Sequence, residues 1–193
     1  MFGWLAVHPV ALCRRAAVPP AQRRWLRVSP LQLAEHLPRL GHVLYLADAR
    51  PLAAMDEPPP GWLVEQCELA PLLHTHWLVA AGVVGDDGPR EWLECVDRHG
   101  NACARLHLLP DTDYLAWDAL LAAGIPTPAP TSLRAPRPFR PAGACVTRFH
   151  RRHLAGLVAL GRAPCAPVST LGRDVAQRIA QAEAVALQLP VAG

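Results

Sequence analysis

The sequence predicts an α+β fold: a mostly antiparallel sheet with flanking helices, followed by a C-terminal helical segment after a proline-rich connector. Three observations carry that prediction. REWLECVD (90–97) and NACARLHLL (101–109) alternate polar and apolar residues on either side of Arg98-His99-Gly100, the pattern of a hairpin. Asp111–Ala123 spaces Tyr114, Leu115, Trp117, Leu120 and Leu121 as an amphipathic helix, with Asp111 as its cap. Pro126 to Pro141 is rich in proline, alanine and arginine, the composition of an extended connector rather than of packed structure.

The remaining elements follow in order. Val10–Ala17 reads as a short helix, and after Val18-Pro19-Pro20 a second helical start covers Ala21–Val28. Ser29 is a good cap and Pro30 sits at the first helical position, opening a helix through Leu31–Leu37. Gly41 ends it, and HVLYLAD (42–48) is a strand. The prolines at 58–60 mark a loop before the short strand Trp62-Leu63-Val64. HTHWLVAAGVV (74–84) reads as a strand and GDDGP (85–89) as a turn. Glu94 and Arg105 face each other across the 90–109 hairpin. Beyond the connector, FHRRHLAGLVALG (149–161) reads as a helix, and a last helix runs from the cap Ser169 to about Leu187. The expected organisation is an α+β unit at 1–125, a Pro/Arg-rich linker at 126–145 and a helical segment at 146–193.

Composition narrows the classes. All 19 basic residues are arginine, which a GC-rich coding bias explains, and the net charge of +3 is scattered rather than clustered. A nucleic-acid partner is therefore not expected. The N-terminal stretch has no charged segment before its apolar one and is broken by His8-Pro9, a poor signal peptide. No apolar run reaches the ~18 residues of a membrane span. Cysteines at 13, 67, 95, 103, 145 and 165 form no CxxC pair, so reduced thiols and a cytoplasmic location are expected.

Three groupings of histidine and cysteine carry potential chemistry. Cys95, His99, Cys103 and His107 recur every four residues, which on a helix would make a zinc site. On a hairpin they do not converge, because strand neighbours alternate sides. His74 and His76 on one strand would share a face, with a half-buried strand at Trp77 as the plainer reading. A zinc module built from His74, His76, Cys95 or Cys103 is the weakest of the readings. His150 and His153, three apart on a helix, would share a face with Leu154 and Leu157 beside them. The residues alone leave two readings of that pair open, a ligand helix or a solvated helix start.

The order of segments adds to this. LPRLGHVLYLADAR (37–50), PGWLVEQCELAPLLHTHW (60–77), WLECVDRHGNACARLHL (92–108), PDTDYLAWDALL (110–121) and FHRRHLAGLV (149–158) follow one another at spacings that resemble the HemS/ChuS family of cytoplasmic heme-handling proteins. The resemblance covers roughly residues 8 to 187 and rests on order rather than on any single sharp motif. It implies heme as cofactor, His153 as the iron ligand with His150 the second choice, and Arg151 or Arg152 against a propionate. It further implies a role in hemin transport and iron utilisation, exchange with a heme donor or acceptor protein, and a homo-oligomer as an open state. Family members consist of two similar halves, and this chain ends where the opening helices of the second would lie. Heme degradation is therefore not expected, and no catalytic residue is assigned. The alternative is a non-catalytic interaction module that kept the fold and lost heme binding.

Overall fold

A computed structural model describes residues 22–49, 59–85, 88–130, 137–163 and 167–189. The helix expected at Val10–Ala17 lies outside them. The described elements are strand β1 (Gln22–Arg27), helix α1 (Pro30–His36), strands β2 (Gly41–Asp48), β3 (Trp62–Val64), β4 (Trp77–Gly85), β5 (Gly88–Val96) and β6 (Ala102–Thr112), and helix α2 (Tyr114–Ala123). They continue with β7 (Ile125–Pro126), β8 (Pro141–Leu154), β9 (Leu157–Ala163), α3 (Thr170–Ala182) and β10 (Leu187–Gln188). One sheet contains every strand in the order β3-β9-β8-β2-β6-β5-β4-β1-β7, with β10 also paired to β8. Pairing is antiparallel except at β3–β9 and β10–β8. The molecule is thus a sheet-dominated α+β fold.

Each face of the sheet carries its own core. On one, Val43, Tyr45, Leu78, Leu93, Cys95 and Leu106 pack beneath α1, α2 and a 3-10 segment at Cys67–His74. On the other, Leu44, Leu46, Ala144 and Val146 pack beneath α3, which contributes Ala176, Ile179 and Ala180. The split follows from period-two alternation: odd residues of β2 point to the first core and even ones to the second. That β2 is buried on both faces explains why its sequence reads as a continuous apolar run.

Several expected elements are present. Ser29 accepts from the Gln32 backbone N–H while Gln32 Oε1 accepts from the Ser29 N–H, a complete capping box on α1. β5 and β6 form the expected hairpin, Glu94 sits opposite Arg105, and the two side chains pair at 3.0 Å. Ser169 caps α3 through the Gly172 N–H.

Other expectations are corrected. Residues 22–27 form strand β1 rather than a helix, because pairing with β4 from Gln22↔Gly82 to Arg27↔Trp77 outweighs the helical preference of Gln, Arg and Leu. The strand placed at 74–84 starts at Trp77, since the 3-10 segment through Pro71 buries Leu69, Leu72 and Leu73 first. Asp113, not Asp111, caps α2, accepting from the Ala116 N–H. Asp111 instead accepts from the Ser169 N–H and hydroxyl and anchors the start of α3. That helix stops at Ala182, where Ala184 turns left-handed at φ 56°.

The largest correction concerns FHRRHLAGLVALG, which is a strand, a turn and a strand. β8 and β9 pair from Arg148↔Ala163 to Leu154↔Leu157 around Ala155-Gly156. Both turn residues have positive φ, 47° and 84°, as a two-residue hairpin turn with the twist of its flanking strands requires. The first half of β8 pairs with β2, so the expected helical segment begins as part of the main sheet.

Candidate functional site

The four residues singled out in the sequence, His150, Arg151, Arg152 and His153, lie on the outer half of β8. There the β8–β9 ribbon leaves β2 and has β3 along its other edge. All of 151–157 is exposed. Because β8 is a strand, its side chains alternate. Phe149 enters the first core, so Arg151 and His153 lie on that side. His150, Arg152 and Leu154 lie on the other. The expectation that His150 and His153 project together is overturned: a separation of three unites residues on a helix and opposes them on a strand.

His150 is committed to a structural contact. Its Nε2 lies 2.9 Å from Glu65 Oε1, just past the end of β3, and its Nδ1 is buried without a hydrogen-bond partner. In register opposite His150 stands Gly161. A Cβ there would overlap the Glu65 carboxylate and come 2.7 Å from His150 Nε2, so only glycine leaves room for the pair. The hydrogen bond from His150 holds the Glu65 carboxyl below its ordinary range, assisted by the charges of His150 and Arg152. Arg152 Nε lies 4.0 Å from the same Glu65 oxygen.

His153 is in a different position. It is exposed, and it sits in a row with Val158 of β9 and Trp62 of β3, both half-buried. Arg151, two residues back on the same side, has Nη1 3.7 Å from Glu35 Oε1 of α1. Adjacent on that face, Arg162 Nη2 lies 3.7 Å from Glu68 Oε2. The row therefore presents an imidazole open to a metal, an apolar wall and a guanidinium in a loose, exposed pair. Those residue types fit a heme: the imidazole would hold iron, Trp62 and Val158 would touch the macrocycle, and Arg151 would meet a propionate. Arg152 faces the opposite side. Sequence reasoning missed Trp62, Glu65 and Gly161 as parts of this region, because their roles depend on the parallel β3–β9 pairing.

The other groupings separate in space. Cys95 and Cys103 are buried on the first core, where Cys103 Sγ lies 3.1 Å from the Cys95 carbonyl and 3.3 Å from that of Pro71. Burial pushes the Cys95 thiol up to about 12. His99 occupies the hairpin turn, its N–H donating to Asp97 Oδ1. His107 stacks on Trp92 at 5.9 Å on the opposite sheet face. No three His, Cys, Asp or Glu side chains among the described residues group as a metal site. His74 ends the 3-10 segment and His76 packs edge-on to Trp77, so neither lies on the strand where sharing a face was expected.

No family model and no curated protein matches the chain. The solved structures that align with part of it include two heme proteins. The heme degrading enzyme ChuS of Escherichia coli O157:H7 is 16% identical with a TM-score of 0.41, over 58% of this chain and 38% of that one. Holo-PhuS, a heme-binding protein from Pseudomonas aeruginosa, is 18% identical with a TM-score of 0.39, over 60% of this chain and 38% of that one. This chain thus spans less than two fifths of either neighbour. Similarity of that degree leaves the function to the geometry of the site.

Proposed function

We propose that this chain binds heme on the face of the β8–β9 ribbon that continues the first-core side of the sheet, and passes it to or from a protein partner in iron utilisation. The cytoplasm is the expected setting. One observation carries the choice of ligand: His153 is exposed beside Trp62 and Val158 with Arg151 on its side, whereas His150 is held by Glu65. The sequence resemblance to heme-handling proteins supplies heme as the molecule. His153 would coordinate iron, Arg151 would contact a propionate, and His150 and Arg152 would support the ribbon through Glu65. No reaction on the heme is assigned. Hemin titration should give a saturable, coordinated absorption spectrum. His153→Ala should abolish it and Arg151→Ala should weaken affinity without changing ligation. An unchanged spectrum in His153→Ala defeats the reading.

A second reading, a protein-interaction module without heme, draws on the exposed side chains of Leu63, Leu154 and Leu157 around the ribbon tip. Scatter alone on hemin addition, as with a control protein, would favour it.

A further inference from the structure

The tip of the β8–β9 ribbon is built against ordinary turn chemistry. Tight hairpin turns in water favour glycine, asparagine or aspartate, which tolerate positive φ and hydrogen-bond to nearby backbone. Here the turn and its flanks read Leu154-Ala155-Gly156-Leu157, without a polar side chain. Ala155 holds φ 47°, a conformation that its Cβ disfavours and that asparagine adopts more readily. Leu154 and Leu157 stand opposite each other at the base of the turn, 49% and 37% exposed. Leu63 of β3, 46% exposed, adds to the same side through its register with Ala159, which in turn pairs with Arg152.

The charges behind this tip are of one sign. β8 and β9 together contain Arg148, Arg151, Arg152 and Arg162 and no aspartate or glutamate. Among the described residues, acids reach the ribbon from other elements and behind the tip. Glu35 and Glu68 lie 3.7 Å from Arg151 and Arg162, and Glu65 lies 4.0 Å from Arg152 while bound to His150 at 2.9 Å. None of these acids pairs with 153–158. At ~3.3 Å per residue, Arg152 and Arg151 stand about 7–10 Å behind Leu154 along the strand. Apolar side chains of a protein lying on a bilayer enter it by about 5–10 Å. Leucines at that depth would reach the acyl boundary just as the guanidiniums met the headgroups, and anionic headgroups match their charge. The tip also projects, exposed throughout 151–157. A folded partner would need a cleft shaped to receive it, whereas a bilayer yields.

We propose that the ribbon tip docks on an anionic lipid bilayer, with Leu154 and Leu157 at the acyl boundary and Arg151 and Arg152 among the headgroups. The inference does not rest on heme, and its test uses none. Cosedimentation of the full chain should show saturable binding to vesicles of equal parts phosphatidylglycerol and phosphatidylcholine. Binding to phosphatidylcholine alone should be about tenfold weaker. The double variant Leu154→Ser/Leu157→Ser should bind the mixed vesicles several-fold more weakly, and Arg151→Gln/Arg152→Gln should erase most of the lipid preference. Ala155→Asn separates docking from folding: asparagine suits the turn, so thermal stability should hold or rise while vesicle binding falls. Should the leucine double variant not fold, Ala155→Asn decides. Equal binding to both vesicles, an unchanged preference in the arginine variant, or undiminished binding in Ala155→Asn overturns the proposal. Binding to neither vesicle also overturns it and leaves the leucines to a protein partner.

Discussion

The centre of the sheet and its outer ribbon are built from the same kind of strand and differ in what holds them. β2, β6, β5 and β4 are joined mostly through short connections and have helices or a 3-10 segment packed on them, so Leu44, Leu93 and Leu106 are fully buried. Among the described residues no helix coats the tip of the β8–β9 ribbon, and 151–157 is exposed throughout. Its junction with β3 relies instead on the Glu65–His150 contact and on three parallel pairs. The comparison teaches where this fold has room for chemistry: residues at the centre are occupied by packing, while His153 on the ribbon is exposed to a ligand.

The sharpest way to break the comparison is truncation. Leu93→Ala or Leu106→Ala should cost about 2–5 kcal/mol in urea unfolding, from lost burial plus the cavity left behind. Leu154→Ala at the tip should stay within about 0.5 kcal/mol. Equal losses would mean that the ribbon is as tightly integrated as the centre.

Acid sharpens it next. Burial first, then Arg105 and Arg90, pushes the His107 imidazole down to about 3. A depressed value gives stability that is present above the ordinary 6.5 and lost as pH falls toward 3. The unfolded chain takes up a proton that the folded one refuses. Over that window the loss should approach about 1.4 kcal/mol per pH unit. His107→Phe, which keeps a ring on Trp92 and removes the unpartnered Nε2, should flatten the profile. A profile unchanged by that substitution would place the acid sensitivity elsewhere.

Smaller effects belong to the ribbon and to α3. Gly161→Ala should push the Glu65 carboxylate away from His150, with a small loss of stability. Faster hydrogen exchange at the Glu65 amide, which donates to Leu160, should accompany that loss. Protection equal to that of the parent would show the pair to be dispensable. Ser169→Ala should cost about 1 kcal/mol by removing the cap on α3. A loss confined to a few tenths would show Asp111 holding the helix unaided.

Much of the centre was legible because its signals are local. The capping box, the Arg98-His99-Gly100 turn and the Glu94–Arg105 pair each lie within a short stretch of chain. The ribbon was not. Leu154, Leu157 and Val158 satisfy helical spacing, and the turn between them lacks the Asn-Gly that announces a two-residue hairpin. Ala155 adopts positive φ without the residue type that advertises it. Misreading the element then misplaced the site, since His150 and His153 exchange one shared face for two opposite ones. Glu65 could not be paired with His150 from sequence, because strand partners remote in the chain leave no local mark. β1 was lost in the same way, its partner β4 lying beyond α1, β2, β3 and the 3-10 segment at Cys67–His74.

The parallel pairing of β3 also constrains the order of assembly. Trp62–Val64 finds its partners only at Val158–Leu160, whereas β4, β5 and β6 follow one another closely in the chain. Contacts between distant segments must first close a long loop, and they form late for that reason. During synthesis Trp62 and Val64 emerge well before the strand that receives them, leaving an indole and a β-branched side chain without their neighbours. The edge that carries His153 in the folded protein is thus completed late, and a stalled or shortened chain would display it as a sticky, unfinished strand.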